Sequence, residues 1–264
     1  MRTAPHIGGI IAAFFTVASA AAPPPPPPPT VRVIVPVVGS VTGVGGARWK
    51  TDVQLRNDFK NEVTVALTLP TAPDQPVIIT TILPGESVRF GDVVGEAFGI
   101  DSAISPLVVE TLGNRSVTVN ATTYAVRGDD VSAPQPIALQ YGLPYAPMRL
   151  LSNLSFSDEF RTNIGVANLG DSSAEFVLAL QRLAGRNVAV SRMVVPPSSL
   201  VHASLQSLFP LITSGNDFSV LVETAAQDTY VYASVIENAT NAARFIQPVI
   251  GGPGPLPEVQ QARQ

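Results

Sequence analysis

One stretch of the chain is written twice, and that repetition constrains the fold more than any other feature. Trp49-Lys50-Thr51-Asp52-Val53-Gln54-Leu55-Arg56-Asn57 aligns with Phe160-Arg161-Thr162-Asn163-Ile164-Gly165-Val166-Ala167-Asn168. Aromatic, basic, Thr, Asp or Asn, aliphatic, aliphatic and Asn fall in register, and Thr51 stands 111 residues before Thr162. The agreement continues in order. Val65-Ala66-Leu67 meets Val177-Leu178-Ala179-Leu180, and Leu83-Pro84-Gly85-Glu86-Ser87 meets Val195-Pro196-Pro197-Ser198-Ser199. Phe98 meets Phe209, Val108-Val109-Glu110-Thr111 meets Leu221-Val222-Glu223-Thr224, and Ser116-Val117-Thr118-Val119 meets Thr229-Tyr230-Val231-Tyr232. Solenoid repeats run about 20–50 residues, so a unit this long is a duplicated domain.

Within each unit the runs are short and alternate apolar with polar residues. Residues 31–38, 63–69, 117–126, 176–180 and 230–235 are rich in Val, Ile, Thr and Tyr, and Gly, Pro, Asn and Asp separate them. This is the signature of strands joined by turns. Two segments, 93–100 and 205–212, break the period at matching places and read as a short helical insert in each unit. Trp49, Thr51, Val53 and Leu55 share one strand face, with Lys50, Asp52, Gln54 and Arg56 on the other. Trp49 and Phe160 read as core anchors. Asn57 and Asn168 end their strands, where an Asx turn or a left-handed residue is useful.

The order "strand ending in Asn, polar turn, apolar strand, then Pro-Gly-x-Ser" runs through Asn57, Val63-Thr64-Val65-Ala66-Leu67 and Leu83-Pro84-Gly85-Glu86-Ser87. It resembles bacterial Ig-like modules such as the cell-adhesion-related domain found in bacteria. The resemblance covers about half of each unit. The second unit departs from it with Pro196-Pro197-Ser198, and both units carry the helical insert where that family moves straight to the next strand. The resemblance implies a surface or adhesion-type module and carries over no binding residues. The predicted fold is therefore all-β, with two tandem Ig-like β-sandwich domains at 31–143 and 144–250, each of about seven or eight strands.

The flanks predict export. Met1-Arg2-Thr3, an apolar run over residues 7–17 and Ala18-Ser19-Ala20 form the pattern of a signal peptide over 1–20. Residues 21–30 make a linker containing an unbroken proline run, a polyproline II rod. Residues 251–264 are too polar and proline-rich to fold and read as a disordered tail. The expected location is secreted, cell-surface or periplasmic, with no transmembrane span once the signal is removed. Only 14% of residues are charged and the net charge is −4, a poor match for nucleic acid. The absence of cysteine excludes disulfides, thiol catalysis and Cys-based zinc sites.

No constellation of residues spells out a reaction. The two histidines are His6, inside the expected signal, and His202, which no triad signature accompanies and which reads as an exposed strand-end or polar-face residue. Glu110 and Glu223 recur in both units, but each holds the same place in its own unit, so they read as edge charges and not as a glycosidase pair. Asp129-Asp130 and Asp158-Glu159 lack the spacing of a calcium loop. Gly43-Val44-Gly45-Gly46 lacks the Lys-Ser/Thr of a phosphate cradle. The sequons at Asn114, Asn120, Asn153 and Asn238 matter only in a glycosylating host. Lys50 with Arg161, and Asp52 with Asn163, form a repeated polar face. The expectation is a non-enzymatic interaction or structural protein with no cofactor, no catalytic or metal residues, and a protein or glycan partner at the cell surface. A carbohydrate- or peptide-binding accessory protein, marked by an exposed aromatic row or concave groove, is the second reading, and an unrecognised enzyme is the third.

Overall fold

The computed structural model describes residues 30–113, 115–141, 146–182 and 186–250, without the Arg186 side chain. The expected signal peptide, nearly all of the linker, the tail, the sequon at Asn114 and the boundary at 143/144 lie outside the described residues.

The protein is all-β, built from antiparallel strands with two short helices. The first half runs β1 (Thr30–Thr42), β2 (Arg48–Arg56), β3 (Val63–Thr68), β4 (Ile78–Ile82), β5 (Ser87–Phe90), α1 (Val93–Phe98), β6 (Ala103–Leu112), β7 (Thr118–Arg127), β8 (Asp130–Val131), β9 (Gln135–Pro136) and β10 (Gln140–Tyr141). The second half runs β11 (Met148–Phe156), β12 (Phe160–Asn168), β13 (Ala174–Arg182), β14 (Arg186–Val195), β15 (Ser199–Ser204), α2 (Leu205–Leu208), β16 (Gly215–Glu223), β17 (Thr229–Glu237), β18 (Ala243–Ile246) and β19 (Val249–Ile250). Both expected helical inserts are present. Asp92 caps α1 by accepting from the Gly95 amide, and Ser204 caps α2 by accepting from the Ser207 amide.

The two halves repeat one strand order. In the second half one sheet reads β14-β13-β16-β11-β19 and the other β15-β12-β17-β18. In the first half the same positions are held by β4-β3-β6-β1-β10 and by β5-β2-β7, with β8 and β9 beyond β7. There the two layers join, because β1 bulges between Val35 and Val38 and its last residues, Val41 and Thr42, pair with β2. Each half places an apolar cluster between its two layers. Val33, Leu55, Leu67, Leu107 and Val119 belong to the first cluster, and Leu151, Val166, Phe176, Leu180 and Val231 to the second. Burying each such side chain contributes about 1.5–3 kcal/mol.

This order differs from the immunoglobulin sandwich in its first and last strands. In that fold the first strand lies beside the second, and the seventh beside the sixth. Here β11 lies beside β16, and β17 lies beside β12. The described strands thus follow an order of their own: the chain crosses between layers at β1→β2 and β11→β12, as in a Greek-key double sheet. Alternation marks which residues face a core, but it does not say which layer a strand joins.

Matching side chains hold each copy together. Thr162 Oγ1 donates to the Ser155 carbonyl (2.6 Å) and accepts from its amide (3.2 Å), tying β12 to β11 across the layers. Thr51 Oγ1 accepts from the Gly39 amide at 3.0 Å in the first copy. Asn57 and Asn168 are both buried. Each forms the expected Asx turn, Asn57 accepting from the Phe59 amide and Asn168 from the Gly170 amide. Each also donates to a turn carbonyl and to the end of the neighbouring strand, Asn57 to Asn61 and Ile82, and Asn168 to Ser172, Val195 and Pro196.

Register pairs correct the sequence alignment by one residue in two places. Val119 pairs with Leu55 and Val231 with Val166, so Val231, not Tyr232, is the equivalent of Val119. A one-residue slip would turn every side chain to the wrong face. Likewise Gly85 (φ 76°) corresponds to Ser198 (φ 49°), both left-handed, since the proline opposite Gly85 in the alignment cannot adopt that conformation.

Candidate cavity between the two halves

The outward face of the second half's four-stranded sheet is covered by the first half. Tyr232 of β17 pairs with Gly165 of β12, and Gly165 pairs with His202 of β15. A Cβ on Gly165 would fall within the Tyr232 ring. The missing side chain lets Tyr232 lie flat across β12 and reach His202, whose Nδ1 is 2.9 Å from the Tyr232 hydroxyl. Tyr232 also stacks on Tyr230 (ring centres 6.2 Å apart) and on Phe245 (5.4 Å). Val37 of β1 packs onto this aromatic group from the first half.

Burial sets the protonation of this seam. It pushes the His202 pKa down to about 4, so the imidazole is neutral near pH 7. Burial also raises the Tyr230 and Tyr232 hydroxyls above the usual phenol range, with Tyr230 adding to the shift of Tyr232. Gln140 of β10 lies beside the Tyr230 hydroxyl.

A cavity of about 320 Å³ opens next to the aromatic group. The first half contributes Val37, Val41, Trp49, Ile104 and Thr123 to its wall, and the second half contributes Arg161, Asn163, His202, Ser204, Tyr232, Ser234 and Phe245. Among the described residues no Asp or Glu lines it. Arg161 donates from Nη1 to the Asn238 Oδ1 (2.8 Å) and from Nη2 to the Asn241 Oδ1 (2.9 Å). The wall offers apolar rings, hydroxyls, an amide and one cation, an arrangement suited to holding a small molecule.

The residues singled out in the sequence fall in several places. His202 is not at an exposed strand end but lies within β15, largely enclosed by the seam. Trp49 is half-buried in the cavity wall and not in the first core, whereas Phe160 packs against the second core. Lys50 lies 3.5 Å from Asp92, and Asp52 accepts from Arg89 Nε at 2.8 Å. Glu110 pairs with Arg32 at 3.6 Å on the first half, and Glu223 lines an open groove on the second half. Among the described residues no three of His, Asp and Glu converge as metal ligands would. Gly45 and Gly46 form a left-handed 3-10 turn with Val44. No helix among the described residues is long and apolar enough to cross a membrane. Sequence reasoning missed Gly165 and Tyr232. The signal was present in the apolar run Tyr230-Val231-Tyr232-Ala233, which is too continuous for a strand with one wet face.

No family model matches the chain, and no curated protein matches it. Among solved structures, the crystal structure of Thermotoga maritima 1070 is similar over 40% of this chain and 93% of that one, at 15% identity and a TM-score of 0.33. That likeness is too slight to carry an argument about fold or function.

Proposed function

We propose that this chain is an exported, non-enzymatic interaction protein made of two tandem β-sandwich modules that engages a protein partner at or outside the cell surface. One observation carries the reading. The equivalent outer edge strands of the two halves, β4 and β14, pair on one side only and expose branched aliphatic residues. Ile79 is 69% exposed on β4, and Val188, Val190 and Val194 are exposed along β14. Edges of that kind are normally blunted by charge; β4 carries no charged residue, and on β14 the exposed Arg192 alone stands among the valines, so both suit the addition of an extended partner segment. The residues common to both copies, such as Thr51 with Thr162 and Asn57 with Asn168, serve the scaffold, which also supports a non-catalytic reading.

A glycan-binding sheet face is less well supported. Among the described residues, the exposed large aromatics are Tyr141 and Phe59, and the aromatic row is turned into the seam. The test is biolayer interferometry of the purified chain against fractionated extracellular and surface proteins, followed by purification of the captured partner. Saturable binding should be lost in Val190→Lys and kept in His202→Ala. Turnover of a substrate that disappears in His202→Ala with the fold intact would overturn the proposal.

A further inference from the structure

The cavity wall keeps a cation that has lost its acids, and the first half shows what was lost. The register pairs make Lys50 equivalent to Arg161 and Asp52 equivalent to Asn163. Asp92 and Ser204 hold the same place as the caps of α1 and α2, so Ser204 stands where Asp92 does. In the first half both acids are present, with Asp92 3.5 Å from Lys50 and Asp52 holding Arg89. In the second half the cation remains, while the amide of Asn163 and the hydroxyl of Ser204 stand where the acids were.

Arg161 satisfies part of its guanidinium with the two asparagine oxygens. A guanidinium carries five N–H donors, so these two bonds do not exhaust it, and Arg161 lines the cavity. Burial, and then the nearby Arg127, lowers the Arg161 pKa, as expected of a cation short of counter-charge. The rings of Trp49, Tyr232 and Phe245 supply an apolar wall on the other side.

We infer that the cavity between the halves is a binding site for a small carboxylate with an aromatic or apolar body, its carboxylate held by Arg161 and its body against Trp49 and Tyr232. At about 320 Å³ the space is at the small end of ligand pockets, which run about 300–1,000 Å³, so one ring and a carboxylate fit. A cationic ligand is disfavoured because it would meet a like charge with no acid to offset it. This inference is independent of edge-strand docking.

Trp49 is the single tryptophan of the chain, so its fluorescence reports on this site alone. The probe is 4-nitrobenzoate, an absorbing quencher, with 4-nitrobenzamide as its neutral counterpart, titrated into the full chain. Saturable quenching by the carboxylate is expected, about tenfold tighter than by the amide. Arg161→Gln should bring the carboxylate down to the affinity of the amide. Arg161→Lys, which keeps the charge but loses the fork, should fall between the two. Ser234→Phe, which leaves Arg161 in place but fills the space, should abolish both. Linear, non-saturating quenching, equal affinity for acid and amide, or unchanged binding in a folded Arg161 or Ser234 variant would overturn the assignment.

Discussion

The outward faces of β5-β2-β7 and of β15-β12-β17 are built on matching strands and end in opposite chemistry. On the first half, Gln54, Arg89 and Asn120 stand at adjacent register positions, beside the exposed Asp52–Arg89 ion pair. On the second half the same positions hold Gly165, His202 and Tyr232, which lie under the first half. The inward residues of the same strands are alike: Val53, Leu55, Val119 and Ala121 match Ile164, Val166, Val231 and Ala233. The comparison separates two jobs. Alternate residues facing the core specify the scaffold, and the residues between them are free to make one copy soluble and the other a docking face.

The sharpest break in that comparison is Gly165→Gln, which installs the first copy's residue in the second. Its side chain must displace the Tyr232 ring, so a loss of about 3 kcal/mol is expected by denaturant unfolding. The reverse change, Gln54→Gly, meets no such ring and should cost about 1 kcal/mol or less, from backbone entropy alone.

A pH titration of stability contrasts His202 with its first-half equivalent, Arg89. The folded-state pKa of His202 lies near 4, below its unfolded value, so protons bind preferentially to the unfolded chain. Its contribution is complete above about pH 6.5 and drains away as the pH falls toward 4. Wild type should lose about 2 kcal/mol more than His202→Gln between pH 7 and pH 4. Equal losses would mean that His202 is solvated.

Two further comparisons should show the copies behaving alike. Asn57→Ala and Asn168→Ala each strand buried strand-end carbonyls and should each cost about 2 kcal/mol, within about 0.5 kcal/mol of each other. Unequal costs would mean the Asx turns play different parts in the two halves. Smallest of all, Arg89→Gln removes an exposed ion pair and should leave the melting temperature unchanged within error.

Much of this was legible in the sequence, and the limits have physical causes. Period-two alternation revealed the strands, the broken period revealed α1 and α2, and strand-final Asn57 and Asn168 forecast the Asx turns. The layer joined by the first and last strands was not legible, because β1 and β17 show the same alternation in either sheet. The slip at Val119 arose because Val231 and Tyr232 both suit a strand, and only pairing with Val166 distinguishes them. The seam was hidden for a related reason. Trp49 alternates in phase with Thr51, Val53 and Leu55, yet it lies at the strand's end, where it lines the cavity that both halves enclose.

The central claim is that one scaffold carries two faces, and that Gly165, His202 and Tyr232 make the second face dock. The most direct test exchanges all three for their first-half equivalents, Gly165→Gln, His202→Arg and Tyr232→Asn, and follows acrylamide quenching of Trp49 alongside far-ultraviolet circular dichroism. The strand signal should be unchanged, because these positions do not serve the core, while Trp49 becomes markedly more accessible as the seam opens. Loss of the strand signal, or Trp49 quenching identical to wild type, would contradict the claim.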